Sequence, residues 1–236
     1  MKFTPTELDG AFIIDLELRE DARGWFARTY CAREFEAHGL PTHMVQTNMS
    51  LTRKKGTLRG MHYQHAPHGE DKLVRCVGGA IWDCIVDLRP QSPTYCRWIG
   101  VELSEAGATQ GLFDPAPAGL HNGAISKTVK LRFADFTDGL SNTLHLTESA
   151  TYCQWIGVEL TEANGRSLLV PKGFAHGFVT LSDDAAVTYQ VSEFYTPASE
   201  AGARWDDPAF GIAWPVPVLD MSDKDRNWPA HVKEAQ

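Results

Sequence analysis

Apolar and polar residues alternate along most of this chain in short runs. Ten strand-like segments recur at short spacing: Ala11–Leu18, Trp25–Cys31, Met44–Ser50, Thr57–Tyr63, Lys72–Val77, Ala80–Leu88, Tyr95–Leu103, Ser167–Val170, Phe174–Leu181 and Ala186–Phe194. Turn residues such as Gly78-Gly79 and Asp183-Asp184 separate neighbouring runs. One short helix is expected near Ala32–His38. Many short strands with few helices predict an all-β fold, an antiparallel sandwich or barrel.

One internal repeat interrupts this pattern. Thr94–Ala106 reads TYCRWIGVELSEA and Thr151–Ala163 reads TYCQWIGVELTEA, identical at eleven of thirteen positions and offset by 57 residues. A solenoid would show several copies at a regular period, so two copies read as a local duplication. The segment between them, Gly107–Ala150, carries Asp-Pro, Ala-Pro and Asn-Gly turn signals and then the strand-like KTVKLRFADF. The expectation is one domain over 1–236 with an insertion at 107–150, flanked by a duplicated strand. Copy one continues the first half through DLRPQSP, and copy two runs directly into GRSLLVPKGFAHGF. Either can fill the strand. A displaced copy would expose Trp, Ile, Val and Leu and would need an edge or a partner.

Composition narrows the class of function. The chain has 236 residues, 43% hydrophobic and 22% charged, as expected of a soluble globular protein. A net charge of -8 argues against wholesale binding to nucleic acid or acidic membranes. The start, MKFTPTELDG, lacks the apolar core of a signal peptide, and no run approaches 18 apolar residues. Five cysteines without a CxxC pair read as reduced thiols, and a cytoplasmic location is expected.

The candidate chemistry lies in GTLRGMHY, residues 56–63, and VPKGFAHGF, residues 170–178. Each puts a histidine, His62 or His176, on a short apolar strand. Arg59 precedes His62, and Lys72 follows ten residues after it. Burying these cationic groups in an apolar interior is costly unless an anion binds there. Tyr189 alternates with Val187 and Val191, which puts its phenol on an apolar face. Strict alternation would place Arg59 and His62 on opposite faces. Gly60 between them offers a bulge that repairs the parity.

A metal centre is the obvious competitor. Gln64 stands where a His-x-His pair needs its second imidazole, and Lys72 is a cation near the place where a carboxylate ligand would be sought. His65 and His68 fall in the loop HAPHGED and read as solvated. No metal and no cofactor are therefore expected. The residues suit proton transfer next to a carbonyl instead. His62 is the candidate base, Lys72 the candidate cation at the developing oxyanion, and Tyr189 the candidate acid across the cavity. Asp225, in LDMSDKD, is a candidate to orient the base.

Taken together, DARGWF, QTNMS, GTLRGMHYQ, DLRPQSPTY, VPKGFAHGF, VTYQVSEFY, RWDDPAFGIAWP and SDKD are similar to motifs of the dTDP-4-dehydrorhamnose 3,5-epimerase family. With the Lys72 strand, the resemblance covers nearly all of residues 1–106 and 164–229. It implies a metal-free cupin-type antiparallel jelly roll with few short helices. It also implies an isomerase that inverts C3, C5 or both of a nucleotide-linked 4-keto-6-deoxyhexose. His62 matches the family's proton-abstracting histidine, Tyr189 its proton-donating tyrosine, Asp225 the partner of that histidine, and Lys72 the lysine near the sugar C4 oxygen. Arg59 and His176 match substrate-contacting positions. Arg23, Gln46 and Asn48 match positions near the nucleotide and diphosphate, and Glu200 and Lys224 are weaker correspondences. The resemblance also implies a homodimer in which Arg23 reaches the partner's site. Arg28 departs from the pattern, standing where many members place a nucleotide-binding glutamate; such a switch changes base or sugar recognition. The alternatives are a homologue impaired by the insertion, a metal-dependent cupin enzyme and a sugar-binding module.

Overall fold

The computed structural model describes residues 1–22, 24–104 and 165–231. The insertion at 107–150, the second repeat copy and Arg23 lie outside the described residues. Thirteen strands are described: β1 (Lys2–Pro5), β2 (Phe12–Asp15), β3 (Arg19–Asp21), β4 (Gly24–Phe26), β5 (Gln46–Thr52), β6 (Leu58–Gln64), β7 (Lys72–Gly78), β8 (Ala80–Asp87), β9 (Trp98–Ser104), β10 (Ser167–Val170), β11 (Phe174–Thr180), β12 (Ala185–Val191) and β13 (Glu200–Gly202). Two short α-helices accompany them, α1 (Ala32–Ala37) and α2 (Asp223–Arg226), with a 3-10 turn at Pro197–Ser199. Antiparallel pairing builds a six-stranded sheet, β1-β2-β10-β7-β12-β5, facing a five-stranded sheet, β13-β6-β11-β8-β9; β3 and β4 form a separate hairpin.

Alternation in β8 and β9 explains how the layers stack. Ile81, Ile85, Ile99, Val101 and Leu103 point between the sheets, where they meet Val74, Leu168, Phe178 and Val187. The opposite parity, Trp82, Cys84, Val86 and Trp98, packs under the C-terminal segment with Phe210 and Trp214. The five-stranded sheet is thus covered on both faces, which is why β8 reads as a nearly continuous apolar run.

The anticipated strands form, but Ala11–Leu18 is strand only over Phe12–Asp15, Tyr95–Leu103 only from Trp98, and a third falls further short. Trp25–Cys31 is strand only over Gly24–Phe26, and Trp25 and Phe26 are exposed. Without a buried face, periodicity there has nothing to pack against. The short strands β1, β3 and β13 and the turn of helix α2 carry too few residues to show a period.

Copy one of the repeat forms β9, pairing with β8 from Val86↔Trp98 to Ala80↔Ser104. Strand β9 is the edge of the five-stranded sheet.

Candidate active site

Strands β5, β6, β7, β11 and β12 leave a cavity of about 820 Å³ beside the apolar core. Val74, Phe178 and Val187 belong both to the core and to the cavity lining, so a dry floor backs the polar groups above it. Gln46, Asn48, Arg59, His62, Lys72, His176, Tyr189, Glu200, Lys224 and Asp225 all line this one space. Arg23 cannot be placed, since it lies outside the described residues.

Arg59 and His62 reach the same cavity through a bulge. His176 pairs with His62, and Phe178 pairs with Arg59, so three steps on β6 oppose two on β11. Gly60 sits at the irregularity with φ of 134°, and a Cβ there would lie 2.4 Å from the Gly177 Cα. Two glycines face each other where any side chain would push the strands apart.

Asp225 comes from far along the chain. The Leu58 N–H donates to the Asp220 carbonyl at 2.8 Å, and the Leu219 N–H to the Gly56 carbonyl at 2.8 Å, which moors the C-terminal segment beside the start of β6. Ser222 then caps α2, its Oγ accepting from the Asp225 N–H at 3.1 Å. This places the buried Asp225 carboxylate 2.5 Å from His62 Nε2, with a further bond from the Gly60 N–H at 3.4 Å. Burial raises the Asp225 pKa, but the hydrogen bond and charge of His62 and the bond from Gly60 outweigh it and hold the carboxyl below its ordinary value. With Nε2 committed to a carboxylate, Nδ1 is the imidazole's basic nitrogen.

Lys72 is buried and makes two contacts. Its Nζ lies 3.0 Å from Glu70 Oε1 and donates to the His62 carbonyl at 3.4 Å. Tyr189 stands on β12, in the opposite sheet from His62. Burial and the Glu70 carboxylate push its phenol pKa up, against a smaller opposing effect of Arg59. A phenol held protonated at neutral pH is a donor.

The remaining cations differ in their pairing. Lys224 binds Glu200, whose second oxygen accepts from the Tyr195 hydroxyl at 3.0 Å. The Lys224 hydrogen bond chiefly holds Glu200 below its ordinary pKa. Arg59 donates from Nε to the neutral Thr52 Oγ1 at 2.9 Å, and among the described residues no carboxylate pairs with it. Among the described residues it is therefore an uncompensated positive charge of the cavity.

Two carboxylates escaped the reading of the sequence. Glu70 pairs with Lys72, and Asp83, fully buried, binds His176 Nε2 at 2.7 Å through Oδ1. Its Oδ2 is buried with no hydrogen-bond partner among the described residues. An aspartate inside the apolar run AIWDCIVD was the available signal, because a buried carboxylate needs a donor. Arg28, the departure noted above, binds Glu34 at 2.6 Å and does not line the cavity. Of the loop histidines, His65 is exposed and His68 half-buried. Among the described residues no cluster of three or more His, Cys, Asp or Glu is placed to hold a metal ion.

The facing sheets of this jelly roll bring His62 with Asp225 and, opposite them, Tyr189 to one cavity, an arrangement able to move protons at a bound molecule. The family model for dTDP-4-dehydrorhamnose 3,5-epimerase matches residues 5–133 and 145–232. The chain is 35% identical over 231 residues to the dTDP-4-dehydrorhamnose 3,5-epimerase of Methanothermobacter thermautotrophicus, covering 96% of this chain and 92% of that one. The crystal structure of the Bacillus anthracis enzyme, with TDP and pyrophosphate bound, superposes with a TM-score of 0.71 at 33% identity, covering 98% of this chain and 99% of that one. The dTDP-6-deoxy-D-glucose-3,5-epimerase of Legionella pneumophila, in complex with dTDP-4-keto-L-rhamnose, gives 0.66 at 29% identity, covering 95% of this chain and 89% of that one. The chain belongs to the dTDP-4-dehydrorhamnose 3,5-epimerase family.

Proposed function

We propose that His62 removes the protons at C3 and C5 of a dTDP-linked 4-keto-6-deoxyhexose and that Tyr189 returns them from the opposite face. As a member of its family the chain is an isomerase acting on nucleotide sugars. One observation carries the assignment of roles: the Asp225-paired His62 and the protonated Tyr189 line one cavity from opposite sheets. A base and an acid on opposite sides of a planar enolate invert the carbon between them.

The chemistry uses the C4 ketone. Loss of an adjacent proton to His62 Nδ1 develops negative charge on the C4 oxygen, and the Lys72 ammonium is the cation at hand to stabilise it. Asp225 accepts the hydrogen bond of the imidazolium formed, which favours the charged base. Arg59, without a carboxylate partner, offers its charge to the diphosphate. His176, Gln46, Asn48, Glu200 and Lys224 are proposed to hold the rest of the substrate.

A homodimer and a cytoplasmic location complete the proposal. Strand β5 lies at the edge of the six-stranded sheet and exposes Met49 and Leu51, an apolar edge suited to a second copy. Arg23 would then act across the interface. No helix among the described residues is long and apolar enough to cross a membrane.

The test is NMR of dTDP-4-keto-6-deoxyglucose incubated with the protein in deuterated water. Deuterium at both C3 and C5 is expected. Label at one carbon would restrict the enzyme to that centre, and no label from folded protein would overturn the substrate.

A further inference from the structure

We propose that Trp228 is the positioning residue of the proton-transfer pair: its indole seats on Gly202, beside His62, and holds the helical turn that carries Asp225. This rests on His62 being the base, as read above, and deepens that reading of the same site.

The register of β13 makes the seat. Gly202 is the Cα partner of His62, so a side chain at position 202 would stand next to the imidazole on the same face of the sheet. Glycine has none to put there, and the Trp228 indole takes the place. A Cβ on Gly202 would come within 2.2 Å of the Trp228 Cε2 and 2.4 Å of its Cδ2 and Nε1. The ring meets the His62 imidazole edge-on, with centroids 6.4 Å apart and planes at 71°. The Lys224 ammonium, which also binds Glu200, lies over the same ring 5.7 Å from its centroid. Trp228 thus meets β6, β13 and α2, each of which lends a side chain to the cavity.

Helix α2 needs such an anchor. Its four residues are too few to be stable alone. Its start is fixed by the Ser222 cap and by the backbone bonds at residues 219 and 220. At its end, Asn227 Nδ2 donates to the Asp223 carbonyl at 2.7 Å, which closes the turn without tying it to another strand. Trp228 follows at once and lays the end of α2 on the sheet. The flank it covers matters, because Asp225 is buried while the His62 side chain keeps 34% of its surface exposed. The indole shuts water from the side of the imidazole that it meets, and a hydrogen bond in drier surroundings is stronger. The indole Nε1 is buried with no hydrogen-bond partner among the described residues. The ring therefore acts by its shape and not as a donor, and a phenyl ring can do the same.

The experiment reads the pair directly. The proton on His62 Nε2, assigned by its absence from His62→Asn, is followed by proton–nitrogen NMR beside turnover of dTDP-4-keto-6-deoxyglucose. In Trp228→Ala that proton is expected to exchange too fast to be seen. The kcat is expected to fall by about 10–10²-fold, the effect of a displacement of about 1 Å at a reacting group, with KM changed less. Trp228→Phe is expected to restore both the proton and kcat. Gly202→Ala keeps the indole in the chain but fills its seat. It is expected to reproduce Trp228→Ala, and in the double variant the two losses should not add. The proposal fails if the proton is unprotected in the unmodified protein, if it persists in Trp228→Ala, or if Trp228→Phe is as impaired as Trp228→Ala. Should Trp228→Ala not fold, persistence of the proton in Gly202→Ala overturns the proposal equally. Loss of the proton with turnover unchanged leaves the positioning in place and overturns His62 as the base.

Discussion

His62 Nε2 and Asp225 Oδ1 stand 2.5 Å apart across 163 residues of chain. The contact requires a strand, a capped helical turn and the backbone bonds between residues 56–58 and 219–220 that hold them together. Replacing the proposed base by His62→Asn keeps a polar side chain of similar reach and removes the basic nitrogen. Solvent deuterium exchange into the sugar is expected to fall by about 10²–10⁴-fold, the range of a lost general base, with the melting temperature changed little. Exchange at the normal rate would exclude His62 as the base.

Asp225→Asn retains the shape of the pair and loses its charge. Turnover is expected to fall less than in His62→Asn, because a base remains but its protonated form is less favoured. The folded-state pKa of Asp225 is depressed, so its contribution to stability is present above the unfolded value of about 3.9 and is lost as pH falls through the lower folded value. Thermal melts between pH 2 and pH 7 should therefore show a shallower acid-side decline in the variant. Identical acid limbs would mean that the pair does not stabilise the fold.

Tyr189→Phe removes a phenol whose burial keeps it protonated. Proton removal by His62 should continue while delivery from the opposite face is lost. Net inversion is expected to drop by about 10²-fold or more, with exchange less affected than inversion. Polarimetry or coupled turnover measured beside deuterium wash-in separates the two; an equal loss of both would argue against a role in reprotonation.

Glu102 lies on β9, paired with Trp82 of β8. Burial, only partly opposed by Arg166, lifts its pKa from 4.5 to about 7. A carboxyl raised in the folded state contributes its stability fully below the unfolded value and loses it as pH rises through the folded one. Glu102→Gln should flatten the decline in stability between pH 4.5 and pH 7 by about 1–3 kcal/mol. Urea titrations at both ends of that window would show it, and an unchanged slope would reassign the effect.

Deleting residues 108–164 removes 57 residues and leaves one intact repeat copy joined to Gly165. The shortened chain is expected to fold and turn over substrate within a few-fold of the full chain. A dead or unfolded product would show that the insertion has become part of the folded unit.

Which faces of the strands carry the site was legible in the sequence, because side-chain parity is a local property. Tyr189 lines the cavity with Val187 and Val191, as their alternation requires, and the pairing of His176 with His62 joins two motifs that each pointed a histidine inward. The motif at Gly60 also signalled a break in alternation. Other relationships were decided by tertiary structure. That Arg59 and His62 share a wall depends on three steps along β6 opposing two along β11. Asp83 and Glu70 became site residues only when sheet pairing set them against His176 and Lys72. Copy one and copy two carry nearly the same pattern, so pattern alone could not choose the strand beside β8. Periodicity describes how a segment meets a surface; which surface it meets depends on pairings between residues far apart in the chain, and those exist only in the folded molecule.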